Sequence, residues 1–339
     1  MKENVPLRDY TTMKLGGPAR YFTTATTTNE LLEALQFAES HHIPFLVLGQ
    51  GSNMIVTDNG FPGVVILNRL RGFSIVSEDA AMIRLKMGAG ERWDSMVQQS
   101  VDLQVSGIEA LSAIPGYVGA APVQNIGAYG QEIADTLLEV EAYDTTTHSY
   151  VTLQNSDCDF SYRQSIFNSS QKNRYIIISI TLELTKGSMS PPFYDSLQAY
   201  LNTHEITDYS PDSIRNAIIA ILTTKLTETS LIANSGSFFK NPIAEKWQID
   251  AIRQQYPDVP VYDMGENTYK VPAGWLIEKL DISNLSQGGF CLYPKNNLVI
   301  INKDGTSYKD LVALRDTIIE RVRDNFRIVL VQEPEELLT

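Results

Sequence analysis

Ile114-Pro115-Gly116-Tyr117-Val118-Gly119-Ala120-Ala121-Pro122-Val123-Gln124-Asn125-Ile126-Gly127-Ala128-Tyr129-Gly130 is the stretch on which the reading of this chain turns. It holds four glycines and three alanines and no charged side chain. Side chains this small over so long a run let backbone approach something large and flat. The bland alternative is a close-packed, buried turn. A second loop shifts the balance. The apolar run Ile43 to Leu48 reads as a buried strand, and Gly49-Gln50-Gly51-Ser52-Asn53-Met54 follows it directly. Small residues and open backbone after a strand suit a phosphate or pyrophosphate. Alone, this loop reads as a tight turn. A Rossmann fingerprint would need glycine where Met54 stands, and no Gly-Lys-Ser/Thr sequence offers a P-loop. Two such loops in one domain point to a bound dinucleotide.

Length and composition set the frame. A chain of 339 residues, 43% hydrophobic and 20% charged, is expected to be an ordinary soluble protein of about two domains, or three. No apolar run approaches the ~20 residues that span a bilayer, and Met1 to Pro6 lacks the apolar core of a signal peptide. The expected location is the cytoplasm. Cys158 and Cys291 form no Cys-x-x-Cys pair, and a disulfide between them is not expected. His41, His42, His148 and His204 have no metal-ligand spacing and read as surface or core residues, so no metal is expected. The net charge of −13 argues against a nucleic-acid binder. A small anionic ligand needs only a local cluster of cations and backbone N–H groups.

Periodicity outlines an α+β chain. Thr27 and Glu30 have capping-box spacing ahead of a helix with Leu31, Leu35 and Ala38 inward. Trp93, Met96, Val97, Ser100 and Val101 mark an amphipathic helix. Leu137 to Tyr143 and Tyr150 to Leu153 read as a hairpin around Asp144 to Thr147. Tyr175 to Leu184 is a β-branched strand. A boundary is expected near 187–210, where Gly187, Ser188, Ser190, Pro191 and Pro192 cluster. Beyond it, Ser210-Pro211 opens a helix carrying Ile214, Ile218, Ile221 and Leu222. Leu298 to Ile301 reads as a strand. A helix spans about Ser307 to Asp324, and Arg327 to Val331 is expected as a closing strand.

Three segments carry reactive groups. In Asn234-Ser235-Gly236-Ser237-Phe238-Phe239-Lys240-Asn241-Pro242, Gly236 lets the backbone bend and present the Ser237 hydroxyl. The neighbouring phenylalanines would partly desolvate that hydroxyl and strengthen its hydrogen bonds. By itself this segment is equally an ordinary turn. Ser161-Tyr162-Arg163-Gln164-Ser165-Ile166-Phe167 adds a fixed cation, and Glu333-Pro334-Glu335 a carboxylate.

Five separated motifs now stand in order. They are Tyr10-Thr11-Thr12-Met13-Lys14-Leu15-Gly16-Gly17-Pro18-Ala19, Leu48 to Asn53, Ile114 to Glu132, Tyr162 to Phe167, and Gly236 to Pro242. In these, over nearly its whole length, the chain resembles the UDP-N-acetylenolpyruvoylglucosamine reductases, flavoenzymes that make UDP-N-acetylmuramate for peptidoglycan. The resemblance implies a vanillyl-alcohol-oxidase-type (PCMH-type) FAD-binding fold of two α+β subdomains, with a C-terminal α+β substrate-binding domain. The corresponding boundaries are 1–70, 71–205 and 206–325, with 326–339 as a segment carrying a catalytic glutamate. It implies FAD as cofactor, NADPH as co-substrate, a sugar-nucleotide substrate and a monomeric enzyme.

The resemblance also implies roles. Gly49, Gln50, Gly51, Ser52, Asn53 and Met54 would hold the pyrophosphate. Ile114, Pro115, Gly116, Gly119, Ala120, Gln124, Asn125, Gly127 and Tyr129, together with Ile177, would flank it and the isoalloxazine ring. Hydride addition to an enol ether beside a carboxylate makes an enolate-like dianion, which a planar guanidinium suits better than an ammonium. Arg163 would supply it, Tyr162 would orient the site, Ser237 would protonate C2, and Glu335 would assist. Tyr194, after Pro191-Pro192-Phe193, resembles the tyrosine of the loop-bearing form of the family. Lys225, Lys240, Asn241 and Asn296 would contact diphosphate or sugar. Two positions depart from the family pattern: Leu222 stands where arginine often precedes Thr223-Thr224-Lys225, and Glu336-Leu337-Leu338-Thr339 replaces an apolar strand after Glu335. Another flavin oxidase or dehydrogenase on the same fold, or a non-catalytic binding module, are the alternatives that Ser237 separates.

Overall fold

The computed structural model describes residues 1–225 and 232–337, without the side chain of Lys225. Local chemistry accounts for many elements. Helix Thr28–Ser40 opens on the expected capping box: Thr27 Oγ1 accepts from the Glu30 N–H at 3.2 Å, and the Glu30 carboxylate accepts from the Thr27 N–H at 3.1 Å. Its buried face is Leu31, Ala34, Leu35 and Ala38. Helix Trp93–Asp102 buries the five residues its spacing predicts, and Trp93 Nε1 donates to the Leu111 carbonyl at 3.0 Å.

The chain forms two units. One comprises Met1–Asn4, Arg20–Gln50 and Pro62–Thr224; the other comprises Val5–Ala19, Gly51–Phe61 and Lys225–Thr339. The first unit carries two sheets. In one, the strands run Lys2–Pro6, Pro18–Ala25, Phe61–Asn68, Phe45–Leu48 in spatial order, the last two parallel with Leu48 opposite Leu67. The other is antiparallel, in the order Ser149–Gln154, Leu137–Asp144, Tyr175–Lys186, Met82–Gly88, Phe73–Glu78, with Val105–Ser106 paired to Tyr175–Lys186. The expected hairpin is there, with Asp144 opposite Ser149.

The second unit has a four-stranded sheet in the order Ala233–Ser237, Asn296–Asn302, Phe290–Tyr293, Ser286–Gln287. Helix Tyr308–Phe326 turns Leu311, Leu314, Ile318, Val322 and Phe326 inward. These join Phe238, Phe239, Phe290, Leu276, Ile277 and Ile300 in one core. Met13, Leu15 and Ile55, from far upstream, belong to the same core.

The unit boundaries differ from those expected. The break falls after Thr224, beyond 187–210, because helices Asp195–Thr203 and Pro211–Lys225 pack Phe193, Leu197, Leu201, Ile214, Ala217 and Ile218 against Ala110 of the first unit. Residues 326–339 are no separate segment, since Phe326, Ile328 and Leu330 lie in the second core. Parts of 1–70 belong to the second unit for the same reason. The expected strand Arg327–Val331 also needs correction. The alternation is present, with Ile328 and Leu330 buried and Val329 and Val331 exposed, but the run forms no ladder. It meets its neighbour only at its end, where Lys240 N–H donates to the Val331 carbonyl at 2.9 Å and Phe239 bridges Gln332.

Helix Pro211–Lys225 is tied down by Arg215, whose guanidinium is buried and grips both oxygens of Asp94 at 2.7 and 3.0 Å and Gln98 at 2.7 Å. Burial opposes the Asp94 charge, but hydrogen bonds from Arg215 and the Ala113 N–H outweigh it and hold the carboxyl below its ordinary value. Such a group contributes stability above its unfolded pKa that is lost as pH falls through the folded one. Asp94→Asn is therefore expected to lower the urea midpoint at neutral pH, with the gap to wild type closing below about pH 4. A gap of the same size at both ends of that range would count against the pair.

Among the described residues no helix is long and apolar enough to cross a membrane, and no acid, histidine and cysteine group could hold a metal. Cys158 and Cys291 are free thiols, and all four histidines are exposed.

Candidate active site

Within the first unit, Gly49-Gln50 at the start of the short loop meets the long stretch. Gln50 Oε1 accepts from the Gly116 N–H at 2.9 Å, and a Cβ on Gly49 would touch the Tyr117 ring at 3.6 Å. The close-packed reading of the long stretch is right in part. Gly119 lies against Ala89, where an added Cβ would stand 2.7 Å from the alanine Cβ, and its N–H donates to the Ala89 carbonyl at 2.9 Å. Gly51, in the second unit, has φ +65 and leaves a Cβ only 2.3 Å from the Tyr10 carbonyl oxygen. Gly51→Ala is expected to cost about 1–3 kcal/mol from backbone strain alone, more once the clash is included. Urea unfolding checks it: a midpoint equal to wild type would mean the Tyr10 segment shifts freely. Ile177 is a core residue of strand Tyr175–Lys186 whose carbonyl accepts from Asn68 Nδ2 at 3.1 Å.

Arg163 is held by the far end of the same stretch. Its Nη2 donates to the Gly127 carbonyl at 2.6 Å and its Nη1 to the Asn125 carbonyl at 3.4 Å. Its guanidinium lies 5.3 Å from the Tyr162 ring centroid. Asn125 is buried in a left-handed conformation, φ +45, and its side chain is tied to Glu132 at 2.8 Å, the Ser161 carbonyl at 3.1 Å and the Ala134 N–H at 3.2 Å. A Cβ on Gly127 would press on Glu132 Cγ at 2.9 Å and Arg163 Nη1 at 3.1 Å. Asn125 and Gly127 thus orient the arginine directly. Arg163 itself has φ +56, a conformation a non-glycine residue keeps only where its surroundings enforce it. Tyr129 stands edge-on to Tyr194 at 6.1 Å, and burial raises the Tyr129 hydroxyl pKa. Tyr194 is 42% exposed just before helix Asp195–Thr203.

In the second unit, Ser237 ends the edge strand Ala233–Ser237. Asn234 pairs with Ile301 and Ser237 with Val299, so one extra residue is accommodated between them. Gly236, at φ +74, forms the bulge. This re-aims the serine as the glycine before it predicts. Phe238 and Phe239 are fully buried, edge to face at 5.3 Å. Phe238 bonds the Glu333 N–H through its carbonyl at 2.9 Å, and this antiparallel register runs Ser237 toward Pro334-Glu335.

Glu335 is firmly placed. Glu335–Leu337 forms a parallel strand with Met54–Val56, and the Glu335 N–H donates to the Asn53 carbonyl at 2.9 Å. Glu336 accepts from Arg315 at 3.1 Å and from the Tyr308 hydroxyl, whose pKa is pushed up to about 12 by burial and by that bond. The short tail therefore does form a strand. The Asn241 side-chain carbonyl accepts from the Ala273 N–H at the start of helix Ala273–Glu278, and that of Asn296 from the Leu298 N–H. Lys240 is half-buried. The Lys225 side chain lies outside the described residues.

The sequence reading missed several participants. Glu132 clamps Asn125, a link visible only once the short hairpin of Gly127–Ala128 and Gln131–Glu132 forms. Arg69 stacks on Tyr117 at 4.4 Å. Near Ser237, Ser235 Oγ and Asn297 Oδ1 are buried with no hydrogen-bond partner among the described residues, as for polar atoms that await water or a ligand.

Comparison with known proteins places this geometry in a family. Residues 19–152 match the model of an FAD binding domain, and residues 227–337 match that of the UDP-N-acetylenolpyruvoylglucosamine reductase C-terminal domain. The UDP-N-acetylenolpyruvoylglucosamine reductase of Thermobifida fusca (strain YX) is 37% identical over 344 residues, covering 98% of this chain and 96% of the relative. The chain belongs to the UDP-N-acetylenolpyruvoylglucosamine reductase family. The reductase of Escherichia coli (strain K12) is 33% identical, with 98% of this chain and 95% of the relative covered. The crystal structure of the reductase from Thermus caldophilus matches with a TM-score of 0.70 at 24% identity, over 99% of this chain and 98% of that one, and it shares the fold. The expected architecture, an FAD-binding fold followed by an α+β C-terminal domain, holds. The chain is an oxidoreductase of peptidoglycan synthesis and a flavoprotein. Its residues fit the flavin: two clasped loops of small side chains, the long one free of charge, lie in the matched domain.

Proposed function

We propose that the chain reduces the enolpyruvyl group of UDP-N-acetylglucosamine enolpyruvate to the lactyl ether of UDP-N-acetylmuramate, with NADPH as reductant. The observation that supports this most is Ser237 presented on a glycine bulge beside a fully buried aromatic pair. The Gly49–Met54 and Ile114–Tyr129 loops would hold FAD, which would supply the hydride chemistry between NADPH and C3 of the enolpyruvyl group. The chain's own residues handle charge and proton. Arg163, pinned by two carbonyls, presents its guanidinium to the substrate carboxylate, where negative charge grows as hydride adds. Ser237 gives its hydroxyl proton to C2 and regains one from solvent, so one hydride and one proton are added in all. Glu335 polarises the carboxylate. Tyr162 orients it, while Tyr194, Lys225, Lys240, Asn241 and Asn296 bind the sugar nucleotide.

The test is anaerobic reduction of the flavoprotein by NADPH, then addition of the enolpyruvyl sugar nucleotide. Return of the oxidised flavin spectrum with UDP-N-acetylmuramate formed is expected. A flavin that is reduced and stays so would assign another electron acceptor.

A further inference from the structure

We propose that Arg69 binds the diphosphate of the flavin dinucleotide, with Arg71 and Arg92 drawing the anion in. The strands Phe45–Leu48 and Phe61–Asn68 are parallel neighbours with Leu48 opposite Leu67. Their carboxyl ends therefore open on one edge, the edge where ligands gather on parallel strands. Gly49-Gln50 leaves one strand there and Asn68-Arg69 leaves the other. The three parts then touch in sequence. The Tyr117 ring is the neighbour that a Cβ on Gly49 would meet at 3.6 Å, and the Arg69 guanidinium lies over that same ring at 4.4 Å. Gln50 ties the next residue of the loop to Gly116, beside Tyr117.

Arg69 is half-buried, yet among the described residues its guanidinium has no hydrogen bond and no carboxylate partner. A guanidinium offers five N–H donors in a planar fork matched to phosphate. Partly buried donors of this kind are normally satisfied. Its charged neighbours make the case stronger. Gly90 packs on the Arg69 backbone, and Arg92 pairs through backbone with Tyr117. Burial first, then the like charges of Arg71 and Arg92, disfavour the charged form of Arg69. The Glu91 carboxylate, next to Arg92 in the chain, accepts from the Gly72 N–H at 3.0 Å. In a chain of net charge −13, an anion needs such a local positive field to arrive and stay.

The test titrates apoprotein, stripped of flavin, with FAD and with riboflavin, which has no phosphate, following flavin fluorescence. Arg69→Ala is expected to weaken FAD about 10- to 100-fold, the loss of one or two charged hydrogen bonds. It should leave riboflavin within about twofold and reduce the salt dependence of FAD binding. Arg69→Lys should recover part of the loss, as a point charge without the fork. Unchanged FAD affinity overturns the proposal. So does equal weakening of FAD and riboflavin, which would mean the Tyr117 stack is structural. Should Arg69→Ala misfold, the double variant Arg71→Ala, Arg92→Ala carries the test, with a weaker but still FAD-selective loss expected. None of these readouts uses the enolpyruvyl substrate, so a failure of the proposed reaction leaves them intact.

Discussion

Ser237→Ala is expected to leave flavin reduction by NADPH at the wild-type rate and to slow flavin reoxidation by the enolpyruvyl sugar nucleotide by roughly 10² or more. Hydride addition at C3 leaves an electron pair at C2 that only a proton can quench. A serine is a weak acid, but a carbanion beside a carboxylate is basic enough to take its proton, provided the hydroxyl is aimed and poorly solvated. The bulge at Gly236 aims it, and the buried Phe238-Phe239 pair that follows limits water. The alanine variant keeps the bulge and both rings, so the fold should not change. Stopped-flow measurement of each half-reaction separates the cases. Equal slowing of both would make Ser237 a structural residue, and an unchanged second half-reaction would place the proton donor elsewhere.

Arg163→Lys is expected to lower the rate of the same second half-reaction by about 10²–10³, the cost typical of losing a fixed donor to developing charge. Arg163 spends Nη2 on Gly127 and Nη1 on Asn125, which sets the plane of the fork. An ammonium on a flexible stem can reach one carbonyl and has no plane to set. The charge is retained, so substrate capture should suffer less than turnover, and kcat should fall further than KM rises. A lysine variant with wild-type kcat would remove the fork from the mechanism. Loss of flavin reduction to the same degree would assign Arg163 to the loop's architecture.

Much of the local structure was legible along the chain because its signals are short. The capping box at Thr27 and Glu30, the inward face of Trp93–Asp102, and the bend at Gly236 each depend on residues within one or two turns of each other, and each is found as read. The glycine stretch was legible as a place where backbone packs closely, though not as to what it packs on: Ala89 meets Gly119, and Glu132 meets Gly127. Arg69 lies in no motif, and Glu132 only ends one, with nothing local to mark its partner. Their roles arise from a hairpin register and a parallel strand pairing, which no local pattern encodes. The expected strand at Arg327–Val331 had the alternation of a strand, but alternation reports burial on one face and says nothing about whether a partner runs alongside.

The sequence by itself determined the family, through five ordered motifs of small, charged and hydroxyl residues, and with it an FAD-binding α+β protein that acts on a sugar nucleotide. It did so because those residue types are set by local backbone needs and by chemistry, both written in short runs. Tertiary structure alone decided which segments share a core: that Met13, Leu15 and Ile55 belong with Phe238 and Ile318, and that helix Pro211–Lys225 belongs with the first unit through Arg215 and Asp94. It alone decided that a tail of three residues is anchored, by Met54–Val56 on one side and by Arg315 and Tyr308 on the other. Contacts between residues hundreds of positions apart depend on the packing of whole elements, and only the folded chain specifies that packing.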